Sequence, residues 1–430
     1  MSANHYQFKP LNVGRVLVWG GFALLLLVAP LIFKSGLALT MLSQIGYMII
    51  ILLSYNLLLG NGGMLSFGYA VYTGLGAFCV AHALNRIAEG AFYLPVSLVP
   101  LIGGLGGAAV AIVLGWVSTK KAHNTFAMIT MGVGELVYAM TLMFPELFGG
   151  ESGISTNRVV GDPVMGITYG PQIQLYYLIA VYCFVCTVLM FMFTATPLGR
   201  MLNAVRDNPE RVEFVGFNTQ LVRYIAFVIA GFFAGIGGGL FALNFELVQG
   251  SAVSGLTSAS YLLFTYIGGA LFFFGPIIGA VLSVLVGILL SEITKAWALY
   301  LGIVFVLMVM FAPGGLSSII MMNLRVAAFK KFGRLWLPYV ALIAASLVLL
   351  AGGSAIVEML YHRQVNAEMS PSFNYLGVTL DVFTPSHWGG AAAVAVVGAG
   401  LFEVARRWFK RHWDSAQEEI QAIIRIREAA

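Results

Sequence analysis

Apolar stretches of roughly twenty residues recur along almost the whole chain, and that is the length an α-helix needs to cross the hydrocarbon of a bilayer. They lie near 13–33, 37–59, 63–84, 94–118, 123–144, 171–194, 222–246, 258–274, 276–294, 297–312, 333–353 and 388–405. The three between 258 and 312 are short enough to be half-helices, and the last is rich in Ala and Gly with Glu403 near its end. Hydrophobic residues fill 60% of the 430 positions and charged ones 10%, against about 45–50% and about 25% in soluble proteins. This excludes a disordered chain, a collagen and an ordinary cytosolic enzyme. Fifty glycines with no G-x-y period point to close helix packing. The first run is longer than the apolar core of a signal peptide and lacks a small-x-small exit, so it is expected to remain as a span.

Charge gives a sidedness. With the N-terminus in the cytoplasm and the spans alternating, only Lys34, Arg86, Arg158, Lys295 and Arg363 of the 23 lysines and arginines fall outside, as the positive-inside rule requires. The expectation is an all-α polytopic membrane protein with both termini cytoplasmic. Cys79, Cys183 and Cys186 all lie in apolar runs. The C-x-x-C at 183–186 therefore reads as packing, and with six scattered histidines no disulfide framework and no metal site is expected.

The cytoplasmic segment 195–221 does not belong to lipid. Arg200, Arg206 and Arg211 oppose Asp207, Glu210 and Glu213, a mixed-sign surface unlike the basic cluster of an anionic-lipid anchor. Asn208 can cap a helix with Pro209 in its first position. Glu210 then suits the helix dipole, and Gly216 can end the helix in a left-handed conformation. About seven helical residues result, short of the roughly 12–15 an isolated helix needs in water. Such a helix either docks on a partner or is a capped surface turn.

Two further features concern the membrane interior. The segment GNGGMLSFGYAVYTGLGAF (60–78) mixes six glycines with Asn61, Ser66, Tyr69, Tyr72 and Thr73. Glycine weakens a helix by about 1 kcal/mol relative to Ala, so this is a candidate broken or re-entrant element lining a path, or else a close helix contact. Glu135 sits near the middle of the fifth run, where a carboxylate costs about 2.5–3.5 kcal/mol on insertion scales and must face protein or water. It reads either as a path-lining group or as a hydrogen-bonded staple; Gln44 and Asn56 read as staples. Gly231, Gly235 and Gly239 form a small-xxx-small face for helix packing.

The segment LGRMLNAVRDNPERVEFVGFNTQLVRYIAFVIAGFFAGIGGGLFAL resembles the LivM-type permeases of branched-chain amino acid ABC importers, and its Glu210 and Gly216 are spaced as in the EAA loop of such importers. The resemblance continues, in family order, through 60–78, FAMITMGVGELV (126–137), GGESGIS (149–155), GGALFFFGPIIGAVL (268–282) and LGIVFVLMVMFAPGGL (301–316). Val212 and Ile229 depart from the general EAA pattern, and about 110 residues follow the last block.

The resemblance implies an ABC-importer transmembrane domain over 1–320, of about ten core spans with a broken or re-entrant glycine-rich segment; it says nothing of the C-terminal extension over 321–430, where the apolar runs give one or two more. The extension ends in a basic cytoplasmic tail, where Ser415 and Glu418 form a capping-box pattern before Ile420, Ile423 and Ile424 at helical spacing. That tail is expected to be a short amphipathic helix that lies on the inner leaflet, touches an ATPase or is simply solvated. The resemblance further implies a LivH-like second permease, two cytoplasmic ATPase subunits and a periplasmic solute-binding protein as partners, besides the bilayer and with no nucleic acid. Arg206, Asp207, Asn208, Glu210, Arg211 and Gly216 would form the ATPase-coupling element. The chain itself is expected to be no enzyme and to hold no cofactor: no Gly-Lys pair of a phosphate-binding loop occurs, so ATP would be bound by the partner subunits. The same features suit urea, short amides or aromatic acids in place of amino acids. A secondary transporter using Glu135 as its coupling acid is the reading from another class.

Overall fold

The computed structural model describes residues 13–121, 123–161, 166–329, 331–365, 372–375 and 377–429. The chain packs as two units. One holds the residues up to Leu285 with Met308–Ser317, and the other holds Val286–Leu307 with Ser318 onward.

The first unit begins with α1 (Val13–Ile32), α2 (Gly36–Leu59), α3 (Ala70–Ala88), α4 (Val99–Ser118) and α5 (His123–Met143). A short α6 (Pro145–Phe148) and strand β1 (Ile154–Ser155) precede α7 (Gln172–Ala195). The loop helices α8 (Pro197–Asp207) and α9 (Pro209–Phe214) lead to α10 (Thr219–Phe245) and β2 (Leu247–Val248), which pairs antiparallel with β1. Then come α11 (Gly255–Gly268) and, after a break at Gly269, α12 (Gly275–Leu285), which continues helically to Ile293, 19 residues in all.

Side chains cap the helices that start in polar loops. Ser35 accepts from Ala38 N–H before α2, Thr196 from Gly199 N–H before α8, and Ser254 from Thr257 N–H before α11. The core lies where α2, α3, α4 and α10 meet, with Ile50, Leu52, Tyr55, Tyr69 and Leu240 fully buried. Glycines set the spacing there. A Cβ on Gly76 of α3 would stand 2.6 Å from the Gly235 Cα of α10, and one on Gly103 of α4 would stand 2.6 Å from the Gly235 carbonyl oxygen.

The second unit contains α13 (Ser291–Ile293), most of α14 (Trp297–Phe311) and of α15 (Gly315–Ala328), α16 (Trp336–Val365), a hairpin of β3 (Ser372–Tyr375) and β4 (Val378–Asp381), and α17 (Pro385–Ala429). Helices α16 and α17 run antiparallel, with Gly398 against the Leu349 backbone and Gly352 against Ala395.

Among the described residues, eight helices are long and apolar enough to cross a membrane, nine if α14 and α15, bent by 52°, make one span. The sequence pattern leads to twelve. The difference arises at three places: the apolar helix Val16–Ile32 of the first run is short, residues 60–69 leave the helix before α3, and α11, with 14 residues, reaches about 21 Å at 1.5 Å per residue.

The C-terminal tail also differs from expectation. It is no separate helix but the end of α17, which runs unbroken for 45 residues. Glu403 pairs with Arg406 and Arg407 one turn on, and this carries the helix past its apolar part. Ser415 caps nothing; its hydroxyl donates to the His412 carbonyl inside the helix. Ile420 instead packs with Val326 and Leu335, and Glu419 bonds Lys331 and Arg334 beside them.

Candidate functional site

The loop between α7 and α10 folds as two capped helices. Asn208 ends α8 and starts α9, its Oδ1 accepting the Arg211 N–H at 3.0 Å, with Pro209 in the first helical position. Gly216 closes the six-residue helix at φ +94°, where its N–H bonds the Glu213 carbonyl and the Phe217 N–H reaches back to Val212. A side chain at this left-handed position would be strained.

The six residues singled out here in the sequence do not all point the same way. Asp207, Glu210 and Arg211 are exposed, Asn208 is taken up in the cap, and Gly216 forms the stop. Arg206 turns toward the bundle: its Nη1 donates to the Gly60 carbonyl at the end of α2, and its Nε to Asp207 Oδ1 at 3.0 Å.

A second tether joins the loop to α10, because the Thr219 hydroxyl donates to Glu213 Oε1 at 2.6 Å. Between these anchors α9 holds out an apolar tip. Phe214 is 89% exposed, Val215 74%, and Phe217 also faces out. A groove of about 590 Å3 runs beside it, lined by Met201, Ala204, Asn208, Val212 and Phe217 among others. Sequence reasoning missed Phe214, Val215, Thr219 and the tethering role of Glu213. The available signal was two aromatic residues, Phe214 and Phe217, flanking a helix stop in an otherwise polar loop.

Of the two readings of the glycine-rich segment, residues 60–69 show the break and Gly76 of α3 the close helix contact, and protein satisfies the free backbone. The Tyr55 hydroxyl donates to the Ser66 carbonyl at 2.9 Å and accepts from the Ser66 N–H at 3.3 Å. Phe67 N–H is held by Thr130 of α5 and Ala70 N–H by Ser258 of α11. Backbone at membrane depth is tolerated only with such partners. Tyr69 is buried and donates to Ser54 or the Ala230 carbonyl, and Tyr72 packs edge-on against Phe227. Ser66 is buried with its hydroxyl unpartnered, while Asn61 is partly exposed.

None of Asn61, Ser66, Tyr69 and Tyr72 lines the polar cavity between α3, α10 and α11. That cavity, of about 430 Å3, is walled by Ile51 of α2, Thr73 and Gly74 of α3, Gly238, Phe241 and Phe245 of α10, and Gln249, Ser251, Thr257 and Tyr261 beyond. Its polar groups are hydroxyls and one amide, and among the described residues no charged side chain lines it. It lies toward the β1–β2 end of α10, away from Thr219 and the α8–α9 loop.

Glu135 does not line the cavity either. It is exposed on α5, with Oε1 so close to Gly255 that a Cβ there would approach to 2.6 Å. Gly231, Gly235 and Gly239 lie along α10 against α4 and α3, touching Ala111, Gly103 and Val80. Cys183 and Cys186 are buried free thiols of α7, and no group of metal-ligating side chains occurs among the described residues. In the second unit Glu358 of α16, passed over in the sequence, accepts from the Thr294 hydroxyl and from the Tyr300 hydroxyl at 3.1 Å.

Comparison with known proteins places these features. Residues 37–313 match the family described as "Branched-chain amino acid transport system / permease component". The high-affinity branched-chain amino acid transport permease LivM of Escherichia coli K12 is 28% identical over 291 residues, covering 62% of this chain and 67% of its own. The galactose/methyl galactoside import permease MglC of Salmonella typhimurium is 28% identical over 320 residues, covering 68% and 91%. The guanosine ABC transporter permease NupQ of Bacillus subtilis is 29% identical over a shorter 125 residues, covering 27% and 39%. No solved structure matches. The match spans the capped loop, the broken glycine segment and the cavity together, and the chain belongs to the family of branched-chain amino acid transport permease components.

Proposed function

We propose that this chain is the permease subunit of a binding-protein-dependent ABC importer in a bacterial inner membrane, with both termini cytoplasmic, carrying branched-chain or other small amino acids. The observation that carries the reading is the apolar tip of α9. A six-residue helix with Phe214 and Val215 in solvent has no reason to persist by itself, yet it is capped at both ends and tethered twice. It fits the groove of a separate ATPase.

The tethers supply the mechanics. Closure of two ATPase subunits on ATP displaces α9 as a rigid body. Glu213 carries that motion to α10 through Thr219, and Arg206 carries it to α2 through Gly60. The same two helices wall the cavity through Ile51, Gly238, Phe241 and Phe245. Moving them against α3 and α11 alternates the access of the cavity between a periplasmic binding protein and the cytoplasm. A LivH-like permease is the second membrane subunit.

The uncharged cavity suits a solute with no net charge, including an amino acid zwitterion. Relatives that import galactose or guanosine handle neutral solutes too; urea and short amides belong in the same panel, with aromatic acids, anions at neutral pH, as its charged members. The test is purification of the complex with uptake of labelled leucine, valine, urea and galactose in vesicles holding ATP. Two ATPase chains, a second permease and preferred uptake of the amino acids support the proposal; uptake confined to urea or galactose overturns the substrate class.

A further inference from the structure

Helices α16 and α17 lie beyond the residues that match the family, and a groove runs between them. The two backbones touch at Gly352 with Ala395 and at Gly398 with Leu349. From there toward the basic end of α17 the groove has a volume of about 340 Å3 and a lining of apolar side chains alone. Ala345 and Ala405 are buried at its floor, and Ala344, Val348, Leu401 and Val404 wall it. It spans positions 341–348 and 401–408, about 10 Å at 1.5 Å per residue.

The far end of the groove is marked by Trp408 and by charge. Residues 406–413 hold four lysines and arginines and no acid. Glu403 takes up Arg406 and Arg407, whereas Lys410 and Arg411 are exposed and form no ion pair among the described residues. Arg411 follows Trp408 by three residues and so shares its side of the helix. Before the start of α16, Lys331 and Arg334 divide the single carboxylate of Glu419 between them. The end of the groove thus has cations to spare.

We propose that this groove binds one glycerophospholipid with an anionic headgroup, its acyl chain lying over Ala345 and Ala405 and its phosphate at Lys410 and Arg411. Open apolar walls lack partner atoms on one side, and an acyl chain supplies them. Tryptophan and basic side chains together mark the depth of the headgroups. Basic pockets between spanning helices hold anionic headgroups for this reason. A protein segment would find no hydrogen-bonding group in the groove and would have to bring carboxylates of its own to the spare cations; one lipid molecule brings both the chain and the charge.

The test uses the full chain, purified with its complex and placed in phosphatidylcholine vesicles that hold a trace of phosphatidylglycerol with a photoreactive diazirine in its acyl chain. Irradiation is expected to label peptides within 341–348 and 401–408, and unlabelled phosphatidylglycerol should compete. Lys410→Gln with Arg411→Gln should weaken that competition about 25-fold, at about fivefold per cation removed. Lys410→Arg with Arg411→Lys, which keeps both charges, should leave it unchanged. Ala344→Trp, at an exposed wall position, should remove the groove label and spare the label on α7 around the exposed Val181. Equal labelling by a phosphatidylcholine diazirine analogue would show bulk lipid only, and a groove unlabelled by either analogue would show that another occupant covers it; each result overturns the proposal.

Discussion

Arg206 donates a hydrogen bond to the carbonyl of Gly60, joining the α8–α9 loop to the end of α2. The last carbonyls of a helix lack intrahelical donors, and a cation there also meets the negative end of the helix dipole. The Arg206 stem lies against Gly63, where a Cβ would stand 2.8 Å from its Cγ. The arginine thus ties the glycine-rich turn after α2 to the α8–α9 loop.

Arg206→Ala is expected to abolish most uptake while the ATPase chains still co-purify. The stability cost is about 1.5 kcal/mol, the lower end for a hydrogen bond to a charged group, because the side chain is about a third exposed. Uptake and thermal unfolding of the purified complex check the two halves separately.

Phe214→Ala with Val215→Ala should do the reverse. Both side chains stand in solvent, so the isolated subunit should change by no more than about 0.5 kcal/mol. The ATPase chains should be lost on purification, which affinity capture of the complex reads directly.

Tyr55→Phe removes the one hydroxyl that holds both backbone groups of Ser66. Leaving those groups unpaired is expected to cost about 1–3 kcal/mol. Thermal unfolding in detergent measures it, and faster proteolysis within 60–69 would locate it.

Ile420→Ala empties the contact with Val326 and Leu335 and should cost about 2–5 kcal/mol of local stability. Limited proteolysis should then cut the end of α17. The order of preferred solutes should stay unchanged.

Much of this architecture could be read from residue order. Apolar length located the helices, because spans such as 172–195 and 219–245 need little beyond continuous hydrophobicity. The Asn208, Pro209 and Gly216 signals located α9, because capping is local chemistry. What escaped depends on distant partners. Arg206 is one cation among several until Gly60 is brought beside it, and Phe214 looks like any loop aromatic until its neighbours leave it in solvent. The end of α17 escaped for a different reason: hydropathy stops at Arg406, while helix propensity and the Glu403 pairs do not.

The most direct measurement is solute uptake into vesicles reconstituted with the full set of chains, compared with vesicles holding this polypeptide alone. The account predicts uptake that requires ATP inside and the ATPase chains, and that falls when Thr219→Val cuts the tether from α9 to α10. Accumulation by this polypeptide alone on a proton or sodium gradient, without any ATPase, would contradict it.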